Sequence, residues 1–406
     1  MKPSEKQIID YVMKNESCDF YREFYKGVDL SEWKNIPCIS KKQIKDYENP
    51  GRKFLFVSED EIAEIKMTTG TTEESLNIYF SKKDVEMRDK KMDLSVRENY
   101  PQDARIMSLF PLNFPGRHVE AYKDYVFVEG DIYNLQQAAD MVFKLNLNCI
   151  RTFPAIALKL GEILERIGYD KIKLIVFAGE GTSDLTKQQL KKYYPNASIR
   201  KLSGMTEFSN LGWQCKYFKD TEDYHVVSEE FLKYEILPEN GNIEEFGRGE
   251  LIISSLWGDS AFPLIRYKTG DLVDLRQAEC GCGSSKIFTI LGRIEFDIIR
   301  VGGINILKRN IDQAVSSSGY KDYQVHIYEE IRDDKLYPKL VLKILGEDKG
   351  GVDVKLMENL MITPSYNWAD GVEKGALLPL EVKFISELEE KGYKTLSVID
   401  HRIKEV

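Results

Sequence analysis

The chain has 406 residues, 42% hydrophobic and 30% charged, enough to bury a sizeable core in two or three folding units. Its formal net charge of -9, with lysines and glutamates interleaved, excludes a surface built to neutralise a nucleic-acid backbone. Residues 1–17 lack the unbroken apolar segment of a signal peptide, and no run reaches the ~18 apolar residues of a membrane span. A cytoplasmic protein without nucleic-acid or membrane partners is expected.

An amphipathic N-terminal stretch reads as helix. A short apolar strand at 62–65 leads into Met67-Thr68-Thr69-Gly70-Thr71-Thr72, whose backbone N–H groups and hydroxyls suit phosphate oxygens; an ordinary Thr/Gly turn is the alternative. Residues 171–177 read as a buried strand running into Ala178-Gly179-Glu180-Gly181, a Thr182-Ser183-Asp184 cap, and a helix to about Tyr194, closed by Pro195. Ligands in such sheets sit at the carboxyl ends of strands, so this turn is a candidate binding edge. Alternation at 232–237 and 250–256, between turn signals, predicts an antiparallel β subdomain. Beyond Gly292-Arg293, strands near 324–331, 337–344 and 380–385 and a helix near 352–361 predict a separate small unit. The fold class expected is α/β: a large N-terminal layered α/β domain with a β subdomain over 1–292, and a small C-terminal α+β domain over 293–406.

Six unevenly spaced cysteines, at 18, 38, 149, 215, 280 and 282, do not read as a disulfide framework. Cys280-Gly281-Cys282-Gly283 sets two thiols one residue apart on a glycine-rich turn, a geometry that directs both sulfurs to one metal; buried free thiols are the alternative. The pairs Lys41-Lys42 and Lys191-Lys192 read as solvated faces, and His118, His326 and His401 show no comparable partners.

Further segments follow the Thr/Gly loop in a fixed order: Gly179-Glu180-Gly181, Ser203-Gly204-Met205-Thr206-Glu207, Arg266-Tyr267-Lys268-Thr269-Gly270-Asp271, Gly292-Arg293-Ile294-Glu295, and Arg300-Val301-Gly302-Gly303-Ile304-Asn305. With these the chain, from about residue 30 onward, resembles the phenylacetate-CoA ligase branch of the adenylate-forming superfamily, which includes acyl-CoA synthetases, luciferases and adenylation domains. The resemblance implies ATP-dependent activation of a carboxylic acid, aryl or arylacetic, as an acyl-adenylate, followed by transfer to coenzyme A. A carrier-protein thiol or an amine is the alternative acceptor. A degenerate homologue that binds without adenylating is the third reading.

The resemblance also implies roles. Thr68, Thr69, Gly70, Thr71 and Thr72 would wrap the pyrophosphate end of ATP, the Thr206 hydroxyl would bond the α-phosphate, and Glu207 would hold Mg²⁺. Asp271 would accept from the ribose hydroxyls, with Arg293 near the ribose, and Gly179, Glu180 and Gly181 would border the adenine. Lys394, in Gly392-Tyr393-Lys394-Thr395, is the candidate catalytic lysine, with Lys391 its rival, and Glu295 stands at the family's pivot. Cys215 and His225 would complete a four-ligand structural Zn²⁺ site with Cys280 and Cys282. Two departures stand out: Glu73-Glu74-Ser75 follows the loop where the family carries Gly-Lys-Pro, and Ser203, before Gly204, replaces the aromatic residue that stacks on adenine. The expected acid pocket, around 110–118, 153–156 and 205–210, is apolar or aromatic.

Overall fold

In a computed structural model, the described residues are 1–402 apart from positions 50, 69–75, 112–121, 180, 181, 183, 218–221, 227, 228, 239, 240, 283, 295–297, 303, 351, 364, 365, 392, 393, 396 and 397. The chain opens with α1 (Pro3–Lys14), which has Pro3 at its first turn and turns Ile8, Ile9 and Val12 inward. The short α2 (Phe20–Phe24) adds Phe20 and Tyr21 to an aromatic cluster with Phe54 and Phe56. A capping box between Ser40 and Gln43 starts α3 (Lys41–Glu48). The strands β1 (Ile62–Met67) and β2 (Asn77–Ser81) pair antiparallel and lead directly into α4 (Lys82–Asn99), capped by Ser81.

Strand and helix then alternate: β3 (Arg105–Ser108), β4 (Val126–Glu129), α5 (Leu135–Lys144), β5 (Cys149–Thr152), α6 (Pro154–Arg166), β6 (Leu174–Ala178), α7 (Asp184–Tyr193) and β7 (Ser198–Met205). These five strands pair in parallel in the order β4-β3-β5-β6-β7. All five residues of β6 are buried, the continuous apolar run expected of a covered parallel strand. It begins at Leu174, where the alternation with Lys171 and Lys173 ends.

Beyond β7 the pairing turns antiparallel. The strand β8 (Ser209–Trp213) folds back on β7, and β9 (Asp223–Val226) follows. A meander of β10 (Leu232–Leu237), β11 (Gly247–Ser255), β12 (Tyr267–Gln277) and β13 (Lys286–Arg293) comes next. The alternating segments expected there are thus found, β10 at the expected bounds.

The remaining elements are β14 (Ile298–Val301), β15 (Ile304–Leu307), α8 (Lys308–Ser317), β16 (Tyr323–Arg332), β17 (Lys335–Leu345), α9 (Val352–Asn359), β18 (Met361–Thr363), β19 (Tyr366–Asn367), α10 (Trp368–Glu373), β20 (Glu381–Ile385), β21 (Glu390–Lys391), β22 (Lys394–Thr395) and β23 (Val398–Asp400). The β16–β17 hairpin is flanked by β20, parallel to β17, and by β23, parallel to β16; β23 also pairs antiparallel with β13, where Val398 lies opposite Arg293. The architecture is α/β, with helices on a large mixed sheet.

One hydrophobic cluster joins α1 and α2 to the meander through Ile8, Tyr21, Phe54, Tyr234 and Ile253. Another is drawn from Ile299 to Val398 around the fully buried Trp368. Among the described residues, no helix is long and apolar enough to cross a membrane.

Candidate active site

The neck of the Thr/Gly loop is closed by one residue. Past the last β1–β2 pair, Met67 opposite Asn77, the Thr68 N–H donates to the Leu76 carbonyl at 2.9 Å. The Thr68 hydroxyl oxygen accepts from the Leu76 N–H at 2.8 Å, which leaves its proton to offer elsewhere. Thr69, Gly70, Thr71 and Thr72, with Glu73, Glu74 and Ser75, lie outside the described residues.

The Thr-Glu segment occupies the turn of the β7–β8 hairpin. Gly204 stands opposite Asn210 and Met205 opposite Ser209, which leaves Thr206, Glu207 and Phe208 to make the turn. A Cβ on Gly204 would collide with the Ser209 carbonyl, and Ser209 itself takes a φ of 60°. The tight turn therefore explains the glycine without reference to a ligand. Thr206 is buried, and Ser203 is half-buried opposite Gly212.

Glu207 is half-buried as a residue, yet its carboxyl is enclosed closely enough that desolvation raises its pKa. The Tyr267 hydroxyl, donating to Glu207 Oε1 at 3.1 Å, and the charges of Lys41 and Arg293 oppose that shift. Lys41, expected on a solvated face, thus acts on the candidate metal ligand. Sequence reasoning missed this residue and Tyr267; the one signal for Tyr267 was its place beside Arg266 and Asp271.

Asp271 lies within β12 rather than capping a turn. It is directly opposite Arg293 on β13, and Arg293 Nε donates to Asp271 Oδ1 at 2.6 Å. The Asp271 N–H donates to the Thr269 hydroxyl at 3.1 Å. Arg266, in the same segment, is a structural residue: it pairs with buried Glu235 at 2.8 Å and donates to the carbonyls of Lys34 and Ile36. Trp33 Nε1 also donates to Glu235, at 2.9 Å.

Gly179 follows the carboxyl end of β6 with a φ of 76°, a conformation that favours glycine. Since β6 and β7 are parallel, Gly179 and Thr206 leave the sheet at the same edge. Glu180, Gly181 and the expected pivot Glu295 lie outside the described residues. Lys391 and Lys394 stand directly opposite each other in the β21–β22 pair; their side chains, with all of Gly392 and Tyr393, lie outside the described residues.

Four metal-ligand side chains converge away from these residues. The candidate ligand atoms of Cys215, His225, Cys280 and Cys282 all lie within 4.8 Å of one another. Cys215 Sγ and Cys280 Sγ are 3.6 Å apart, and Cys282 Sγ is 3.6 Å from His225 Nδ1. Tetrahedral zinc with Zn–S near 2.3 Å sets its sulfurs about 3.8 Å apart, so the four groups fit that ion. Burial pushes His225 down to about 4, keeping the ring neutral as a ligand must be. The Tyr217 N–H donates to Cys215 Sγ at 3.4 Å, orienting one ligand.

Among the other histidines, His326 Nδ1 and His401 Nε2 are 2.9 Å apart and the His401 ring stacks on Tyr328, contacts of a different kind from the Cys/His cluster; His118 lies outside the described residues.

No family model matches the chain. Over 328 residues, 76% of this chain and 72% of the relative, it is 23% identical to a phenylacetate-coenzyme A ligase of Thermus thermophilus. A 2-hydroxyisobutyryl-CoA ligase in complex with 2-HIB-AMP and CoA, in the thioesterification state, matches with a TM-score of 0.70 at 16% identity, over 98% of this chain and 88% of that one. The same ligase in the postadenylation state with 2-HIB-AMP matches with a TM-score of 0.62 at 17% identity, over the same shares of both chains. The chain therefore carries the fold of the adenylate-forming ligases and resembles their phenylacetate-CoA ligase branch in sequence.

Proposed function

We propose that this protein is an AMP-forming acid-thiol ligase that activates a carboxylic acid, aryl or arylacetic, with ATP and passes the acyl group to coenzyme A. Its strongest support is the linkage of three separated segments: the Thr206-Glu207 turn, the Tyr267 hydroxyl on Glu207, and the Asp271–Arg293 pair whose arginine also acts on Glu207. A carboxylate enclosed this closely is costly without a cation, and a magnesium nucleotide supplies one.

In the first half-reaction a carboxylate oxygen of the acid attacks the α-phosphorus and pyrophosphate leaves. Thr68 to Thr72 would surround the pyrophosphate, the Thr206 hydroxyl would donate to the α-phosphate, Glu207 would hold Mg²⁺, and Asp271 would accept from the ribose. Gly179 and Ser203 border the adenine. Negative charge grows at the α-phosphate, and Lys394 is the cation assigned to it. In the second half-reaction the thiolate of coenzyme A attacks the acyl carbon and AMP leaves. Residues 1–292 are assigned to nucleotide and acid binding, and 293–406 to a lid that brings Lys394 to the site.

Cys215, His225, Cys280 and Cys282 are the proposed structural Zn²⁺ ligands. A closed set of three thiolates and one imidazole leaves no position for substrate, so the ion would tie the segment after β8 to the β12–β13 connection. None of the six cysteines forms a disulfide, which suits a reducing, cytoplasmic setting.

Carboxylate-dependent ATP–pyrophosphate exchange, over aryl, arylacetic, fatty and amino acids, tests the adenylation step. Exchange with one acid class, followed by thioester formation with coenzyme A, is the expected result. Exchange without thioester, but with acyl transfer to a carrier protein or an amine, would replace coenzyme A as acceptor. No exchange with any acid from folded protein would overturn the ligase assignment.

A further inference from the structure

The helix α4 turns three ionisable residues inward. Asp84, Arg88 and Lys91 are each at most 9% exposed, at i, i+4 and i+7 on one face. Such a face normally carries apolar side chains, because a buried charge is costly unless paired. Asp84 accepts from the Ser81 N–H at 2.8 Å, the Ser81 hydroxyl at 3.0 Å, Trp257 Nε1 at 2.8 Å and the Ala261 N–H at 2.7 Å. Arg88 pairs with Glu64 and lies over the Phe80 ring.

Lys91 differs from both. It is fully buried, its Nζ donates to the main-chain carbonyl of Phe208 at 2.7 Å, and it sits 5.3 Å from the Trp257 ring. No ion pair holds it among the described residues. A cavity of about 20 Å³, room for one water, is lined by Lys91, Glu207, Phe208, Ser209 and Trp257. Phe208 closes the turn that presents Thr206 and Glu207. Since α4 continues directly from β2, the Lys91 amine joins that turn to the strand pair that leads into Thr68.

We propose that Lys91 is a positioning residue for the nucleotide site, fixing the Thr206-Glu207-Phe208 turn from behind and coupling it to the neck of the Thr/Gly loop. What the turn does rests on the ligase reading; that Lys91 holds it does not. Burial lowers the Lys91 pKa to about 7, with Asp84 pulling it back up, and the amine donates to a carbonyl in either protonation state.

Lys91→Met keeps the length and the apolar stem but removes the donor. Amide hydrogen exchange across 203–210 is expected to quicken by about tenfold or more, the loss of one strong buried hydrogen bond, with the rest of the chain unchanged. The KM for magnesium ATP in pyrophosphate exchange should rise by a similar factor while kcat changes little. The thermal midpoint should hold or rise, since a buried amine has gone. Wild-type hydrogen exchange at 203–210 in Lys91→Met overturns the proposal, and so does a loosened turn with an unchanged KM.

If the wild type makes no adenylate from any acid, the ligase reading fails, while the hydrogen-exchange comparison still decides whether Lys91 holds the turn. If Lys91→Met does not fold, Lys91→Ala decides the matter with and without ethylamine. Protection at 203–210 restored by the amine supports the proposal, and protection left unrestored overturns it.

Discussion

Arg293 and Asp271 stand directly opposite each other on β13 and β12, joined by a hydrogen bond of 2.6 Å. On the other side of Arg293 lies Val398, so strand register alone aligns the segment after Lys394 with the candidate ribose carboxylate. A carboxylate offers about four lone-pair sites, so Asp271 can accept from a sugar hydroxyl without releasing its arginine. Asp271→Ala should therefore raise the KM for ATP in pyrophosphate exchange by about tenfold or more, the worth of one strong hydrogen bond. The KM for the acid should stay put. A parallel rise in both constants would mean the mutation had disturbed the strand pair rather than a ribose contact.

Glu207 carries a pH signature. Its pKa is raised in the folded protein, so the native state holds a proton that the unfolded chain gives up near pH 4.3. Stability from this group is full below that value and is lost as pH rises through the folded pKa. Glu207→Gln removes the loss, so the variant should melt higher than wild type at pH 7, with the two converging in acid. Pyrophosphate exchange should vanish in the same variant, because an amide is a poor magnesium ligand. A variant that melts lower than wild type at pH 7 would show that the carboxylate stabilises the fold.

What was legible in the sequence was set by how local the signal is. Residues 232–237 alternate in hydropathy and form a strand at those bounds, because a half-covered strand writes its own period. Cys280 and Cys282 announce themselves by spacing, and their convergence with Cys215 and His225 was reached only through family resemblance. Tyr267 and Lys41 act on Glu207 from positions 60 and 166 residues away in sequence, a convergence made by tertiary packing that no local pattern encodes. The inward face of α4 was illegible for the opposite reason: Asp84, Arg88 and Lys91 reverse the polarity by which a buried helix face is recognised.

The Cys/His cluster should hold about one zinc per chain, measurable by elemental analysis of protein purified without chelator. Without a cation, burial and the neighbouring thiols push Cys282 up to about 12, a repulsion that a divalent ion reverses. Removing the metal, or making Cys280→Ser with Cys282→Ser, should lower the thermal midpoint by about 3–5 °C, a few kcal/mol for a chain of this size. A metal-free wild type with the same midpoint would mean that these four side chains hold no structural zinc.

Arg266 shows that one segment serves two ends. Its guanidinium and the Glu235 carboxylate are both buried, and they tie the segment before α3 to the meander. Removing one member strands the other charge, so Arg266→Ala should destabilise by about 3–5 kcal/mol in urea unfolding. Arg266→Met with Glu235→Leu should recover much of that loss, because no unpaired charge remains. If the double variant is as unstable as the single, the two carbonyl contacts and the Trp33 donation to Glu235 matter more than the ion pair.

Lys391 and Lys394 are cross-strand partners, so a chain bringing one to the nucleotide brings the other within a strand spacing. Only one can align with the charge that develops on the α-phosphate, and a fixed cation of this kind is worth about 10²–10³ in rate. Lys394→Ala should lower kcat for pyrophosphate exchange by about that factor, and Lys391→Ala by much less, through weaker attraction for the triphosphate. Thioester formation from a supplied acyl-adenylate should survive in Lys394→Ala, because the charge it stabilises belongs to the first half-reaction. Reversed magnitudes would move the catalytic role to Lys391 and shift the register of the resemblance by three residues.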